Sequence, residues 1–279
     1  MGKNLMNLMD IHMPIIITKY FYFFMKFQTT SYHFDLLKEN DRVSSFFEAI
    51  SQYDSSTDLA YDLGCGSGVL SYFLKDKFDE VISIEIDSDA SKCASNNLEK
   101  FENVTVINED VLNHDFTKKA DLIVCEMMDT ALIDEEEVQV LNHARNFLKE
   151  NGEIIPKAIV NIAELVHMQR HYIHWDENSS YEILSDSINY SKINMMEEIN
   201  PNFEKNIEFK VNKNHIANGI KITTVTILND DVVCGPTPMF NPPLLVPIDE
   251  INVKCNDLIN VKLKYIMGQG IETIETKIL

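Results

Sequence analysis

Three glycines at alternate positions constrain this chain more than any other feature. They lie in Ala60-Tyr61-Asp62-Leu63-Gly64-Cys65-Gly66-Ser67-Gly68. A short apolar run, Leu59 to Leu63, leads into them. A helical pattern follows, with Val69, Leu70, Phe73 and Leu74 on one face. Glycines at a strand-to-helix turn let the backbone approach a ligand closely, because they lack Cβ and reach positive φ. Seventeen residues past Gly68, the stretch Val81-Ile82-Ser83-Ile84-Glu85 reads as a second buried strand with an acid at its tip. A carboxylate in that place is set to meet a ribose, and its two acceptor oxygens match a diol. The spacing G-x-G-x-G after Asp62 differs from the dinucleotide fingerprint G-x-G-x-x-G, which seats a pyrophosphate on a helix N-terminus.

Strand and helix patterns alternate from about residue 36 to 155. Strands are expected at Leu59–Leu63, Val81–Ile86, Val104–Ile107 and Leu122–Cys125. Helices are expected at Val43–Ser51, Ser88–Phe101 and Glu135–Glu150, the last stopped by Asn151-Gly152. Such alternation means a parallel sheet covered by helices on both faces. The pattern changes at Ile155-Pro156, after which apolar residues alternate by two in Ala158–Leu165, Ile207–Val211, Ile220–Leu228, Ile251–Val253, Leu258–Ile266 and Ile271–Ile278. Turn signals such as Asn218-Gly219 and Gly235-Pro236 separate several of these runs, the mark of an antiparallel β unit.

A formal charge of −20 repels phosphate backbones, and no Lys/Arg cluster offsets it. Bulk nucleic-acid binding is therefore disfavoured and a cationic acceptor favoured. The five cysteines are scattered without C-x-x-C spacing, so neither a disulfide framework nor a zinc site is expected. No metal is assigned, and a reducing cytoplasm fits. Met13–Met25 is apolar but too short to span a bilayer, contains Lys19, and lacks a signal-peptide cleavage site. Residues 1–24 are read as an extension upstream of a start at Met25, with an interfacial anchor as the alternative; residues 1–31 are placed outside the fold.

The glycine turn preceded by Asp62 and followed by Glu85 resembles the first motif of Rossmann-like S-adenosylmethionine methyltransferases. Further segments, in order, are similar to the protein arginine methyltransferases. His33-Phe34-Asp35-Leu36-Leu37-Lys38-Glu39-Asn40-Asp41-Arg42 resembles the family's helix that folds over the cofactor. Asp121 to Met128 followed by Glu135, nine residues after Glu126, resembles its double-glutamate loop. Asn142 to Pro156, Tyr172 to Asn178 at the start of a dimerisation arm, and Pro247-Ile248-Asp249-Glu250 with Val253-Lys254 continue the likeness. The chain departs from the family where Asp129-Thr130 replaces Gly-Tyr, and where Met239-Phe240-Asn241 replaces Thr-His-Trp, so the loop histidine is absent.

The resemblance implies an α/β fold: a Rossmann-like, seven-stranded methyltransferase domain at 32–155 and a smaller antiparallel β-barrel-like domain at 156–279, with a short arm near 170–200. It is identified as a short, divergent member of prokaryotic or archaeal type. S-adenosylmethionine is the implied cofactor. Asp62, Gly64, Gly66 and Gly68 would line its methionine moiety and Glu85 its ribose. Asp110, or the neighbouring Glu109, would face the adenine. Arg42 would pair with its carboxylate, a fork suited to that anion. His33 either caps the site or is a surface histidine at a helix start. Glu126 and Glu135 would grip a guanidinium, although an acid in Glu135's place also suits a helix N-terminus. The implied partners are a protein or small cationic acceptor and a second copy in a homodimer; the alternative reading is an RNA or small-molecule methyltransferase. Asn241-Pro242-Pro243-Leu244 reads as a rigid turn between barrel strands.

Overall fold

The structure, a computed structural model, describes residues 9–18, 21–176 and 180–279. Residues 1–8, Lys19 and Tyr20 of the expected extension, and Glu177 and Asn178 of the expected arm segment, lie outside the described residues. The chain divides into two compact units, Met1–Glu126 with His143–Ile155, and Met127–Asn142 with Pro156–Leu279.

The first unit opens with an antiparallel hairpin, β1 (Met9–Thr18) and β2 (Phe21–Thr29). The hairpin falls where an extension was expected, yet Phe27 and Thr29 at its end are buried, and the Phe27 ring meets Tyr72 edge-on. Helix α1 (Ser31–Lys38) starts on the Thr30 side chain, which accepts a bond from the His33 amide. Helix α2 (Asn40–Ser51) buries Arg42, Phe46, Ala49 and Ile50, a stripe at helical spacing that includes one charge. Then come β3 (Thr57–Leu63), α3 (Val69–Leu74), β4 (Phe78–Glu85), α4 (Ser88–Leu98), β5 (Val104–Asn108) and β6 (Ala120–Cys125). Helix α5 (Glu137–Ala144) precedes β7 (Leu148–Ile155).

These strands form a parallel sheet in the order β5-β4-β3-β6-β7. Its central strands read as unbroken apolar runs because both faces are covered. The α/β class stands, but the sheet has five strands among the described residues, not seven. The physical reason lies at Pro156, beyond which the period-two strands pair antiparallel in the other unit. The helix expected over Glu135–Glu150 also ends earlier, at Ala144, and Asn151-Gly152 lies inside β7. Gly152 is not a helix stop. A Cβ there would sit 2.8 Å from the Leu148 side chain and 3.0 Å from the Ala120 carbonyl, beside a register shift between β6 and β7.

The second unit is antiparallel. Strands β8 (Ala158–Met168), β9 (His174–Trp175), β10 (Tyr181–Ile183) and β11 (Ile188–Asn194) are followed by β12 (Asn202–Lys210), β13 (His215–Ile227), β14 (Val233–Cys234) and β15 (Leu244–Val253). Strands β16 (Leu258–Ile266) and β17 (Glu275–Ile278) close it. One sheet runs β10-β8-β13-β15-β9, with β11 on β8 and β14 on β13; a second runs β12-β16-β17. The stretch near 170–200 thus supplies β9, β10 and β11 to the larger sheet. Residues Met127–Asn142, which the sequence places in the first domain, group with this unit because its loops hold them. Gly268 donates its amide to the Leu132 carbonyl, and Gln139 Nε2 donates to the Met267 carbonyl.

Candidate functional site

In the first unit, β3 runs into the glycine turn at the carboxyl edge of the sheet. Gly64 and Cys65 both donate their amides to the Ile84 carbonyl, which ties the turn to β4. Gly66 and Gly68 have φ of 55° and 86°, where a side chain is strained. Each also has a neighbour in the way. A Cβ on Gly66 would lie 2.7 Å from the His33 ring, and one on Gly68 would lie 2.7 Å from Leu98 Cδ1.

Glu85 ends β4 and is 7% exposed. Gly66 donates its amide to Oε2 at 2.8 Å, and Asp87 donates its amide to Oε1 at 2.8 Å. Each oxygen thus has one fixed donor and a lone pair to spare. The donor set fits a ribose diol: a pinned carboxylate with two acceptor oxygens, beside a turn whose glycines leave the backbone bare.

Asp62 sits under the turn, 1% exposed, where it accepts a hydrogen bond from Ser71 Oγ. Ser71 Oγ lies 2.7 Å from Ser83 Oγ, so Asp62, α3 and β4 are linked. Burial pushes the Asp62 carboxyl up to about 7; the Ser71 bond opposes the shift and the Glu126 and Glu85 charges add to it. Ser71 and Ser83 are absent from the expected site, and nothing in a small polar residue on an apolar run marks it as the partner of a buried acid.

His33, from α1, lies with its ring against Gly66 and its Nδ1 2.7 Å from Thr30 Oγ1. Burial holds its imidazole below the ordinary value; the Glu126 charge opposes this and the Arg42 charge adds to it. Arg42 reaches from α2 to two acceptors. Its Nη1 donates to the Leu36 carbonyl at 3.3 Å, and its Nη2 forms an ion pair with Glu126 Oε2. Glu126 lies just past β6, at the carboxyl edge where open α/β sheets bind ligands. The structure therefore brings Gly66, Glu85 and His33 together, and pairs Arg42 with Glu126.

Asp110 caps a short turn of 3₁₀ helix, Val111–Asn113. Its Oδ1 accepts from the Leu112 amide and its Oδ2 from Asn113 Nδ2. The neighbouring Glu109 pairs with His114 Nδ1 at 2.8 Å. Both acids face local partners.

Glu135 belongs to the second unit, in a loop that the unit holds rigidly. Ala131 and Leu132 adopt φ of 61° and 60°, a left-handed pair without glycine. The Ala131 amide donates to Thr224 Oγ1 at 2.8 Å, and Thr130 Oγ1 donates to the Pro242 carbonyl at 2.6 Å. Asp129, 7% exposed, accepts the Asp134 amide at 3.1 Å and the Glu135 amide at 3.5 Å. Burial pushes its carboxyl up to about 8 in spite of those bonds. Glu137 is fully buried and accepts the Met127 amide at 3.0 Å. The run Asp134 to Glu137 thus mixes exposed acids with one that closes the loop, a division its sequence does not show. Asn241, which stands near where the family's loop histidine falls, is spent internally. It accepts from the Thr237 amide and donates to the Thr224 carbonyl and Thr226 Oγ1.

Three comparisons bear on this arrangement. A family model described as a methyltransferase domain matches residues 60–152. An uncharacterised protein of Methanothermobacter thermautotrophicus is 40% identical over 255 residues, 91% of this chain and all of that one. The histone-arginine methyltransferase CARMER of Drosophila persimilis is 29% identical over 129 residues, 44% of this chain but 24% of that one. Among solved structures, the Trypanosoma brucei PRMT1 enzyme–prozyme heterotetrameric complex with AdoHcy shares the fold. The TM-score is 0.74 at 14% identity, covering 89% of this chain and 96% of that chain. Among the described residues, no helix is long and apolar enough to cross a membrane. The chain belongs to one family with the Methanothermobacter protein, within the class I S-adenosylmethionine-dependent methyltransferases that resemble the protein arginine methyltransferases.

Proposed function

We propose that this methyltransferase acts on a nitrogen of protein arginine. One observation carries the reading: Glu126, at the carboxyl edge of the sheet, is a largely buried carboxylate, 11% exposed, already bonded to a guanidinium, that of Arg42. A site that satisfies one guanidinium has the geometry and charge to take another. Glu135, nine residues on, supplies a second carboxylate in sequence, and the charge of −20 favours a cationic acceptor. The partial likeness to a histone-arginine methyltransferase points the same way.

In this reading Glu85 holds the ribose hydroxyls, and Asp62, Gly64, Gly66 and Gly68 shape the wall beside the methionine moiety. His33 closes over the turn, Asp110 turns a remaining acceptor lone pair to the adenine beside its bonds to Leu112 and Asn113, and Arg42 shares its fork between Glu126 and the cofactor's carboxylate. S-adenosylmethionine supplies an electrophilic methyl on a sulfonium. Glu126 and Glu135 hold the acceptor guanidinium and concentrate its positive charge away from the reacting nitrogen. The protein's contribution is positioning and exclusion of water.

The test is transfer of tritiated methyl from S-adenosylmethionine into cell extract, followed by protease and nuclease digestion of the labelled fraction. Label in protease-sensitive material that hydrolyses to methylarginine supports the reading. Label in nuclease-sensitive or small-molecule material rejects it.

A further inference from the structure

Helix α4 buries Ala90, Ser91, Cys93, Ala94, Asn97 and Leu98. Five of these are small or apolar: Ala90, Ser91, Cys93, Ala94 and Leu98. The other is Asn97, an amide on a core face, 9% exposed. Placing an amide there costs free energy unless its bonds are made.

They are made to two separate stretches of chain. Asn97 Oδ1 accepts the Gln28 amide at 2.8 Å, and Asn97 Nδ2 donates to the Gln28 carbonyl at 2.8 Å. The side chain thus pairs with the end of β2 as a neighbouring strand would. The same Nδ2 donates to the Ser67 carbonyl at 2.9 Å, inside the glycine turn. A second connection runs parallel to the first. Thr30, two residues past Gln28, holds His33, whose ring lies against Gly66. Segment 27–33 is therefore tied to two adjacent residues of the turn, to Ser67 through Asn97 and to Gly66 through the His33 ring.

We propose that Asn97 is a positioning residue that couples docking of segment 27–33 to the shape of the cofactor turn. The Ser67 carbonyl and the Gln28 backbone share one amide, so a turn set for ligand favours the docked segment. By linkage, the docked segment favours the ligand by the same factor. The inference rests on the turn as the cofactor cradle, which AdoHcy binding to the unaltered protein tests separately.

The experiment combines calorimetry with AdoHcy and hydrogen exchange of peptides spanning residues 27–33. In the unaltered protein, AdoHcy should slow exchange in that segment. In Asn97→Ala, AdoHcy affinity should fall by about tenfold, the usual scale of such coupling. Ligand protection of the segment should also be lost. If Asn97→Ala does not fold, Gln28→Pro removes the strand-side donor while leaving Asn97 on the turn, and the same two losses are expected. A merely structural role would lower the melting temperature and leave AdoHcy affinity within twofold in the folded variant; that result overturns the proposal. So does exchange in segment 27–33 that AdoHcy leaves unchanged in the unaltered protein. Failure of the unaltered protein to bind AdoHcy at all would instead reject the cradle itself.

Discussion

Arg42 and Glu126 form an ion pair inside the parallel-sheet unit, with 5% and 11% of their side chains exposed. They lie 84 residues apart in sequence, and each sits where the fold would otherwise largely bury a lone charge. A guanidinium carries five N–H donors, and Arg42 donates from Nη1 to the Leu36 carbonyl and from Nη2 to Glu126. Glu126 likewise keeps acceptor capacity. On the proposed reading, the pair presents the carboxylate to the acceptor and the guanidinium to the cofactor.

Glu126→Gln keeps the size and one acceptor but removes the charge. Cofactor affinity should stay within a few-fold, because Glu85 and the turn are untouched. Methyl transfer should fall several hundredfold or more, since losing a transition-state contact costs about 3–4 kcal/mol. Single-turnover transfer beside AdoHcy calorimetry separates the two quantities, and transfer within tenfold of the unaltered protein would remove Glu126 from the chemistry.

The same pair has a stability consequence. Arg42→Ala leaves Glu126 buried without its partner, and breaking a buried pair from one side costs about 3–5 kcal/mol. Replacing both, as in Arg42→Met with Glu126→Leu, should be less destabilising than Arg42→Ala alone. Urea unfolding of the three proteins checks this; a double variant weaker than the single one would show that the pair is not isolated.

Glu85→Ala should weaken AdoHcy binding by about 1.5–3 kcal/mol, because two charge-assisted hydrogen bonds to the ribose are lost. Glu85→Gln should fall between, since one oxygen is kept. The amides of Gly66 and Asp87 lose acceptors too, so part of the effect is turn geometry. Unchanged calorimetry in Glu85→Ala would sink the ribose assignment.

Much of the parallel-sheet unit is legible in the sequence because its signals are local. Gly66 and Gly68 announce positive φ, and Glu85 ends an apolar run at the right distance. Other features are not local. Asn97 looks like any helix-surface asparagine until β2 is laid beside it. The stop at Asn151-Gly152 is a sound local signal that tertiary pairing overrides: Gly152 is small because β7 passes the Ala120 carbonyl, not because a helix ends. Asp129 and Glu137 resemble their acidic neighbours in sequence and differ only by burial, which folding decides.

Asp62 gives a pH signature. Its carboxyl titrates at about 7 when folded, against about 3.9 for an ordinary aspartate. Between those values the folded state holds one more proton than the unfolded chain. Stability from this group is therefore full below about pH 4, falls as pH rises, and is gone above about pH 7. Asp62→Asn keeps an acceptor for Ser71 and cannot ionise. The variant should gain on the unaltered protein in melting temperature between pH 5 and 7.5. A difference that does not change over that range would show that Asp62 is ionised throughout.

Glu135 decides how the acidic loop works. Asp129 holds the Asp134 and Glu135 amides, and Thr224 holds Ala131, so side chains of the same unit anchor the loop's backbone at several points. Glu135→Gln leaves those backbone bonds in place and removes one charge. If Glu135 is the second guanidinium ligand, methyl transfer should drop by nearly as much as in Glu126→Gln. If it is only an acid near the start of α5, transfer should stay within a few-fold. Thr224→Val separates the loop's shape from its charge. It removes the acceptor for the Ala131 amide while every carboxylate remains, and releases a left-handed pair of residues that are costly to hold. Loss of transfer in Thr224→Val with AdoHcy affinity intact would place the loop's conformation, and not its charge alone, in the reaction. Full transfer in both Thr224→Val and Glu135→Gln would leave Glu126 without its expected partner and reject the two-carboxylate grip.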